Sequence, residues 1–174
     1  MLTLSEEQAL EYAKRFVDQN CEGEDAAYLS EVITAGDRSP EVTYQHALSG
    51  SPIAQLAYGV AKLEGAHVEK SISEGLFWLR RSYNNGNAKA AIALAGVYMQ
   101  GTIFRPDLRR ALTYASFASD HELPAGQYIL ANLLIGGGEI PEDQERAIRL
   151  LRTAARNGYA PATKMLQDND IPLE

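Results

Sequence analysis

The 174-residue chain holds one cysteine, Cys21, which excludes an internal disulfide and the cysteine-rich tetrahedral zinc sites. No apolar run approaches the 18 residues of a transmembrane helix, so no membrane partner is expected. The opening Met1–Glu7 lacks both a basic n-region and an apolar h-region, so no secretory signal is read. A lone thiol without an export signal points to the reducing cytoplasm as the expected location. Bases are the scarcer charge: 16 Lys and Arg face 23 Asp and Glu, for a net charge of −7. That sign argues against affinity built on phosphate neutralisation, so no nucleic acid is expected as a partner.

What is present is an ordinary globular share of apolar residues, 45 %, enough to build a packed core. The charge is unevenly placed. Residues 1–50 hold ten acids (Glu6, Glu7, Glu11, Asp18, Glu22, Glu24, Asp25, Glu31, Asp37 and Glu41) and three bases, and residues 51–174 are neutral in sum. This acidic third reads either as a solvated cap or as a docking face for a basic partner.

Three glycines, Gly65, Gly101 and Gly137, lie 36 residues apart, and their surroundings repeat with them. Seven residues before each come Tyr58, Leu94 and Leu130, followed by the small residues Gly59, Ala95 and Ala131. Three residues after each come Val68, Phe104 and Ile140; six after come Ser71, Asp107 and Asp143, all good helix N-caps. Ten after stand Gly75, Ala111 and Ala147, and thirteen after stand Trp78, Tyr114 and Leu150. A fixed stride of this length marks a stacked repeat.

Each unit reads as two helices. The first ends at the repeat glycine, in the left-handed position that suits glycine. A short loop tucks its apolar residue inward, and Ser71, Asp107 or Asp143 caps the second helix. Ser71 and Glu74 form a capping box. Asn85-Gly86 and Asn157-Gly158 stop the second helices. Glu122 stands where those glycines do, so the turn over residues 120–124 is expected to be irregular. The paired small columns let helix axes approach to within about 8–10 Å. Upstream, Leu29-Ser30, Ile33 and Gly36 form a degenerate first helix, followed by a helix capped by Ser39 and ending at Ser49-Gly50. Ser5 caps a helix over residues 6–19. Downstream, residues 160–166 begin a last helix, with Ile171-Pro172 frayed.

These columns resemble the Sel1-like repeat, a relative of the tetratricopeptide repeat. Leu94-Ala-Gly-Val-Tyr98-Met-Gln-Gly101 matches the first half of the family pattern, and Ala147-Ile-Arg-Leu150 with Ala154-Ala155-Arg-Asn-Gly158 matches the second. Lys62 departs from it, replacing the aromatic. The resemblance implies an all-α fold, a right-handed α-solenoid superhelix of nine or ten short helices. It is read as a single domain: residues 1–49 as an acidic cap and degenerate repeat, 50–159 as three repeats, and 160–174 as a capping helix and tail. It further implies a bacterial, non-enzymatic adaptor that holds a protein or peptide partner. The alternatives are a toxin-neutralising immunity protein and, less favoured, a β-lactam-recognising hydrolase. The cysteine pairs of the family's β-lactam-linked members are missing here.

The chemistry-bearing residues are sparse. His46, His67 and His121 fall at unrelated repeat positions, so no metal site is expected, and no cofactor. His46 reads as a partly buried structural histidine. Gly136-Gly137-Gly138 follows a helix and lacks the Lys-Ser/Thr of a phosphate loop. Cys21 sits among acids that raise its pKa, which makes it a poor nucleophile. No catalytic residues are assigned. Arginines recur along the second helices (Arg80, Arg81, Arg109, Arg110, Arg146, Arg149, Arg152, Arg156) and read as a solvated face with pairs such as Glu145–Arg149.

By analogy with tetratricopeptide repeats, the inward positions select a partner-binding strip: Leu56, Val60, Ile92, Met99, Tyr128, Asn132 and Ile135. Leu63 and Gly96 lie on the same strip, Lys89, Gln100 and Lys164 extend it, and Tyr128 serves as an aromatic anchor. Three readings stay open: a peptide groove, a face covered by a second copy as a homodimer, and plain core.

Overall fold

The computed structural model describes residues 28, 29, 32, 39–101 and 103–174. The helix over residues 6–19, Cys21, Ser30, Ile33 and Gly36 of the degenerate repeat, and nine of the ten N-terminal acids lie outside them. Among the described residues there are eight helices and no strand: α1 (Pro40–Ser49), α2 (Pro52–Glu64), α3 (Ile72–Asn84), α4 (Ala88–Gln100), α5 (Leu108–Asp120), α6 (Pro124–Gly136), α7 (Gln144–Arg156) and α8 (Ala160–Asp168). Helices α2 to α7 are each 13 residues long, about 20 Å at 1.5 Å per residue. The described residues fall into two compact units, divided between Asn87 and Ala88.

Every repeat closes by the same bond. The N–H of Ser71 donates to the Lys62 carbonyl at 2.9 Å, that of Asp107 to Tyr98 at 2.9 Å, and that of Asp143 to Leu134 at 3.1 Å. The cap side chains then accept the N–H groups of Glu74, Arg110 and Arg146. Ser39 and Ser51 cap α1 and α2 in the same way. This corrects the expected capping box: the Ser71 N–H is already bound to Lys62, so the Glu74 carboxylate turns to the Lys62 ammonium instead, at 2.9 Å.

The hairpin-to-hairpin turns are also uniform, which corrects the expected irregularity at residues 120–124. Gly86, Glu122 and Gly158 donate to Tyr83, Ser119 and Ala155, and Asn87, Leu123 and Tyr159 donate to Ser82, Ala118 and Ala154. Glu122 takes φ +57°, beside +86° and +81° at the two glycines. The turn geometry overrides the residue, at a cost of about 1–2 kcal/mol for a side chain in the left-handed region. Glu122→Gly is therefore expected to stabilise the chain by about 1 kcal/mol, read as a rise in the urea midpoint with an unchanged m-value.

Two further details depart from expectation. Gly137 has φ +61° with ψ −147°, outside the left-handed helical well and in a region essentially restricted to glycine. Gly138, which follows, also takes a positive φ, +80°. Of the three loop residues expected inside, Ile140 is buried and Val68 packs against the core of its unit, but Phe104 stays exposed and stacks against Tyr98 at 6.5 Å.

In the first unit, α2 packs on α1 and α3. Its core is aromatic: Tyr28, Tyr58 and Trp78 with Ala47 and Ala54, and Leu29, Val32, Tyr44 and Ile53 packed around them. Trp78 meets Tyr44 and Tyr58 edge-on at 6.0 and 5.9 Å. His46 is half-buried beside Tyr28, ring centroids 5.4 Å apart, as its repeat column suggested. A polar clasp joins α3 to α2. The fully buried Gln55 donates to the Ala47 carbonyl at 3.1 Å and accepts from the Asn85 amide at 2.9 Å. Ser82 and Asn87 both donate to the Pro52 carbonyl.

In the second unit, α4 through α8 pack each on the next, and α4 also lies against α6. Its core is aliphatic and fine-grained: Ala90, Ala91, Leu94, Ala95, Ala111, Ala115, Ala118 and Ala131 have no exposed surface. Small side chains permit close helix axes, and Leu130, Leu134 and Leu151 fill the spaces beside the crossings.

Candidate functional site

The first-type helices α2, α4, α6 and α8 each present two sides. On α4, Ala90, Ala91, Leu94, Ala95 and Tyr98 are buried, whereas Ile92, Gly96 and Met99, at i, i+4 and i+7, are half-buried. On α6 the same split leaves Tyr128, Asn132 and Ile135 outside the buried Leu130, Ala131, Leu133 and Leu134. Because α4 and α6 lie side by side, these two strips belong to adjoining helices. Lys89 and Gln100 sit at the two ends of α4 and are exposed, as is Lys164 on α8.

Leu56 and Val60 occupy the same repeat positions on α2, in the first unit, and are half-buried. None of the ten strip residues is buried. A Cβ built on Gly96 meets nothing within 4 Å, so the middle of the α4 strip is open space. Tyr128 tilts against Tyr159 with ring centroids 5.4 Å apart. The Asn132 amide donates to the Tyr128 carbonyl at 2.8 Å, which holds the two together on one turn of α6.

A charged pair in the first unit was not anticipated. Lys62, which replaces the repeat aromatic, is 12 % exposed, bonds Glu74 and lies over the Tyr58 ring at 5.7 Å. One repeat later Tyr98 and Arg110 hold the same two positions, with the guanidinium 5.4 Å from the ring centroid. Lysine with glutamate and tyrosine with arginine are therefore interchangeable solutions at one place in the hairpin. The hydrogen bond with Glu74 raises the Lys62 pKa against a smaller desolvation effect. The hydrogen bond from Lys62 lowers that of Glu74.

The stability this pair confers is thus present above the unfolded carboxylate pKa of about 4.3 and lost as pH falls through the lower folded value. On the alkaline side it is present below about 10.4 and lost as pH rises through the raised lysine value. Glu74→Arg alone places two cations together and is expected to lower the melting temperature. Adding Lys62→Tyr recreates the Tyr98–Arg110 pair, and recovery of the melting temperature, with a flatter acid limb, is the expected result.

The Sel1 repeat model matches residues 52–87, 88–122 and 124–159, well over half of the chain. The chain belongs to the Sel1 repeat family. An uncharacterised protein of Neisseria meningitidis serogroup B is 28% identical over 122 residues, covering 70% of this chain and 24% of its own length. The chain therefore spans about a quarter of that curated relative. A Sel1 repeat protein from Oxalobacter formigenes superposes with a TM-score of 0.65 at 27% identity, over 72% of this chain and 95% of the other. A protective antigen of uropathogenic Escherichia coli with this fold gives 0.72 at 26% identity, over 76% of this chain and 28% of the antigen. Sel1 repeats generally serve as protein-interaction scaffolds, and these solved relatives establish the helical-repeat fold of this member. Among the described residues no helix is long and apolar enough to cross a membrane. No group of three metal-ligating side chains gathers among them either.

Two arginines of α5 and α7 have short-range partners: Arg110 pairs with Asp107, and Arg149 with Glu145. His121 leans on Phe117 at the end of α5, with its Nδ1 2.8 Å from the Phe117 carbonyl oxygen.

Proposed function

We propose that this Sel1 repeat chain is a non-enzymatic scaffold that holds a peptide or partner protein along the half-buried strip of its first-type helices. The observation that carries this reading is the α4–α6 strip, apolar in Ile92, Met99 and Ile135 yet left outside the core in both adjoining repeats. Open space at Gly96 lets a guest backbone approach closely, Tyr128 offers a large anchor of low entropy cost, and Asn132 adds a polar handle. Lys89, Gln100 and Lys164 would meet the polar groups of the guest, and Leu56 with Val60 offers the same chemistry in the first unit. The lone thiol suits a cytoplasmic setting.

The test compares the parent with Tyr128→Ala plus Asn132→Ala as baits in the native host. The double variant is expected to lose the partner that the parent retains, with unchanged far-ultraviolet circular dichroism. Retention of that partner at parental levels overturns the strip as the binding surface.

A further inference from the structure

Next to the strip, and sharing Ile135 with it, residues 169–174 form a second contact surface with α7 and α8. Instead of fraying, as expected, residues 169–174 leave α8 and return across α7. The Ile171 N–H donates to the Leu166 carbonyl at 2.9 Å. Arg152 Nε donates to the Pro172 carbonyl at 2.9 Å, and Arg156 Nη2 to the Leu173 carbonyl at 3.1 Å. The two arginines are four residues apart on α7 and so share one face. They grip consecutive carbonyls, a contact that reads backbone rather than side chain. Ile171 meanwhile lines a cavity of about 220 Å³ with Ile135, Ile148, Leu151 and Met165 and the amides of Gln144 and Asn169.

The cavity has a cause in the repeat register. Helix α8 has nine residues where α4 and α6 have 13, so its last turn is missing. Asn169 stands at the position of the buried Leu133, and Gln144 at that of the half-buried Leu108. Two lining positions of the cavity are thus amides where the preceding repeat has leucines. Space remains beside Ile171 for another aliphatic side chain.

The hold on the tail is slight. Asp170, at its root, takes φ +53°, a left-handed turn of the kind a single aspartate can adopt. Leu173 contributes its carbonyl and leaves its side chain exposed. Pro172 favours an extended path and carries no N–H that would need a partner.

From these contacts we infer that the α7–α8 groove is a docking site for an extended aliphatic-Pro-aliphatic segment of a partner protein. Ile171-Pro172-Leu173 occupies that site in cis, as a latch. A tethered segment acts at an effective concentration in the millimolar range, so it masks the groove despite few contacts. A guest must displace it. The unfilled volume rewards a guest with a bulkier aliphatic residue.

The probe is a fluorescein-labelled peptide carrying residues 167–174, followed by anisotropy against the full-length chain. Ile171→Asp disables the latch while leaving the groove residues of α6, α7 and α8 untouched. This variant is expected to bind the probe at least tenfold more tightly than the parent. Arg152→Ala with Arg156→Ala in the same background is expected to abolish binding. Ile171→Ser, which adds no charge, serves as a second latch variant if the aspartate lowers helicity. Equal binding by parent and latch variants, binding that ignores the arginines, or dimerisation of the chain in place of peptide capture overturns the inference. Tyr128→Ala with Asn132→Ala is expected to leave probe binding unchanged, which separates this groove from the Tyr128–Asn132 part of the strip, Ile135 being common to both.

Discussion

Trp78→Ala is expected to remove about 3–5 kcal/mol of stability, the usual cost of truncating a buried tryptophan to alanine. Trp78 is 5 % exposed, and its ring is enclosed by Tyr44, Tyr58 and Phe77, with the Arg81 guanidinium 5.4 Å from its centroid. In the other repeats Tyr114 and Leu150 occupy this column, so the first unit concentrates its packing in the one indole. Truncation leaves a void between edge-on rings that cannot collapse without moving α1 relative to α3. Circular dichroism in urea measures the loss, and Trp78→Phe should recover more than half of it. A midpoint shift within experimental error would show that the aromatic cluster does not hold α1 to α3.

Gly126→Leu is expected to cost about 3 kcal/mol, at the upper end of the usual overpacking range. A Cβ built on Gly126 lies 2.6 Å from the Ala118 Cβ, 2.8 Å from the Ala118 carbonyl carbon and 2.9 Å from the Ser119 nitrogen. Two of those three neighbours are backbone, which yields only if α5 and α6 separate. Ala54, Ala90 and Ala162 stand in the same column, so this approach is peculiar to the α5–α6 pair. Gly96 provides the contrast within the same unit. It is also helical, but its Cβ would meet nothing. Gly96→Ala is therefore expected to stabilise the chain by about 0.5–1 kcal/mol through reduced backbone entropy in the unfolded state. Opposite signs for the two glycine variants in thermal denaturation are the diagnostic. A destabilising Gly96→Ala would mean that its face is packed, and the open strip would be lost with it.

Much of this molecule could be read from spacing. The caps at Ser71, Asp107 and Asp143, the stops at Gly86 and Gly158, and the small crossing residues were all in the stride, because each answers to contacts within one hairpin; Ser39 was legible off the stride, as the cap before Pro40. The strip was legible for the same reason: positions i, i+4 and i+7 on one helix share a face whatever surrounds it. Two interactions were visible only as anomalies. Lys62 looked like a lapse in the pattern, yet it is one half of an exchangeable pair with Glu74, and the matching Tyr98–Arg110 columns carried that signal. Gln55 and Gln127 stand two repeats, 72 residues, apart, with Ala91 between them. The paired column hinted at a buried amide, which Gln55 realises by bonding Ala47 and Asn85. The tail had no such signal, since nothing in Ile171-Pro172-Leu173 announces that two arginines some 20 residues earlier will receive its carbonyls.

What the amino-acid order determined by itself was the set of elements: which residues form helices, where each begins and ends, and which face of each is apolar. Those properties follow from hydrogen bonds and steric limits a few residues apart, so a linear reading reaches them. Tertiary structure decided the rest: that Glu122 must adopt a glycine's conformation, that Phe104 stays outside while Ile140 goes in, that α5 and α6 close too tightly for a Cβ at Gly126, and that the tail is held. Each of these depends on the distance between segments brought together by the stacking of helices, and that distance is set by the sum of all the side chains between them.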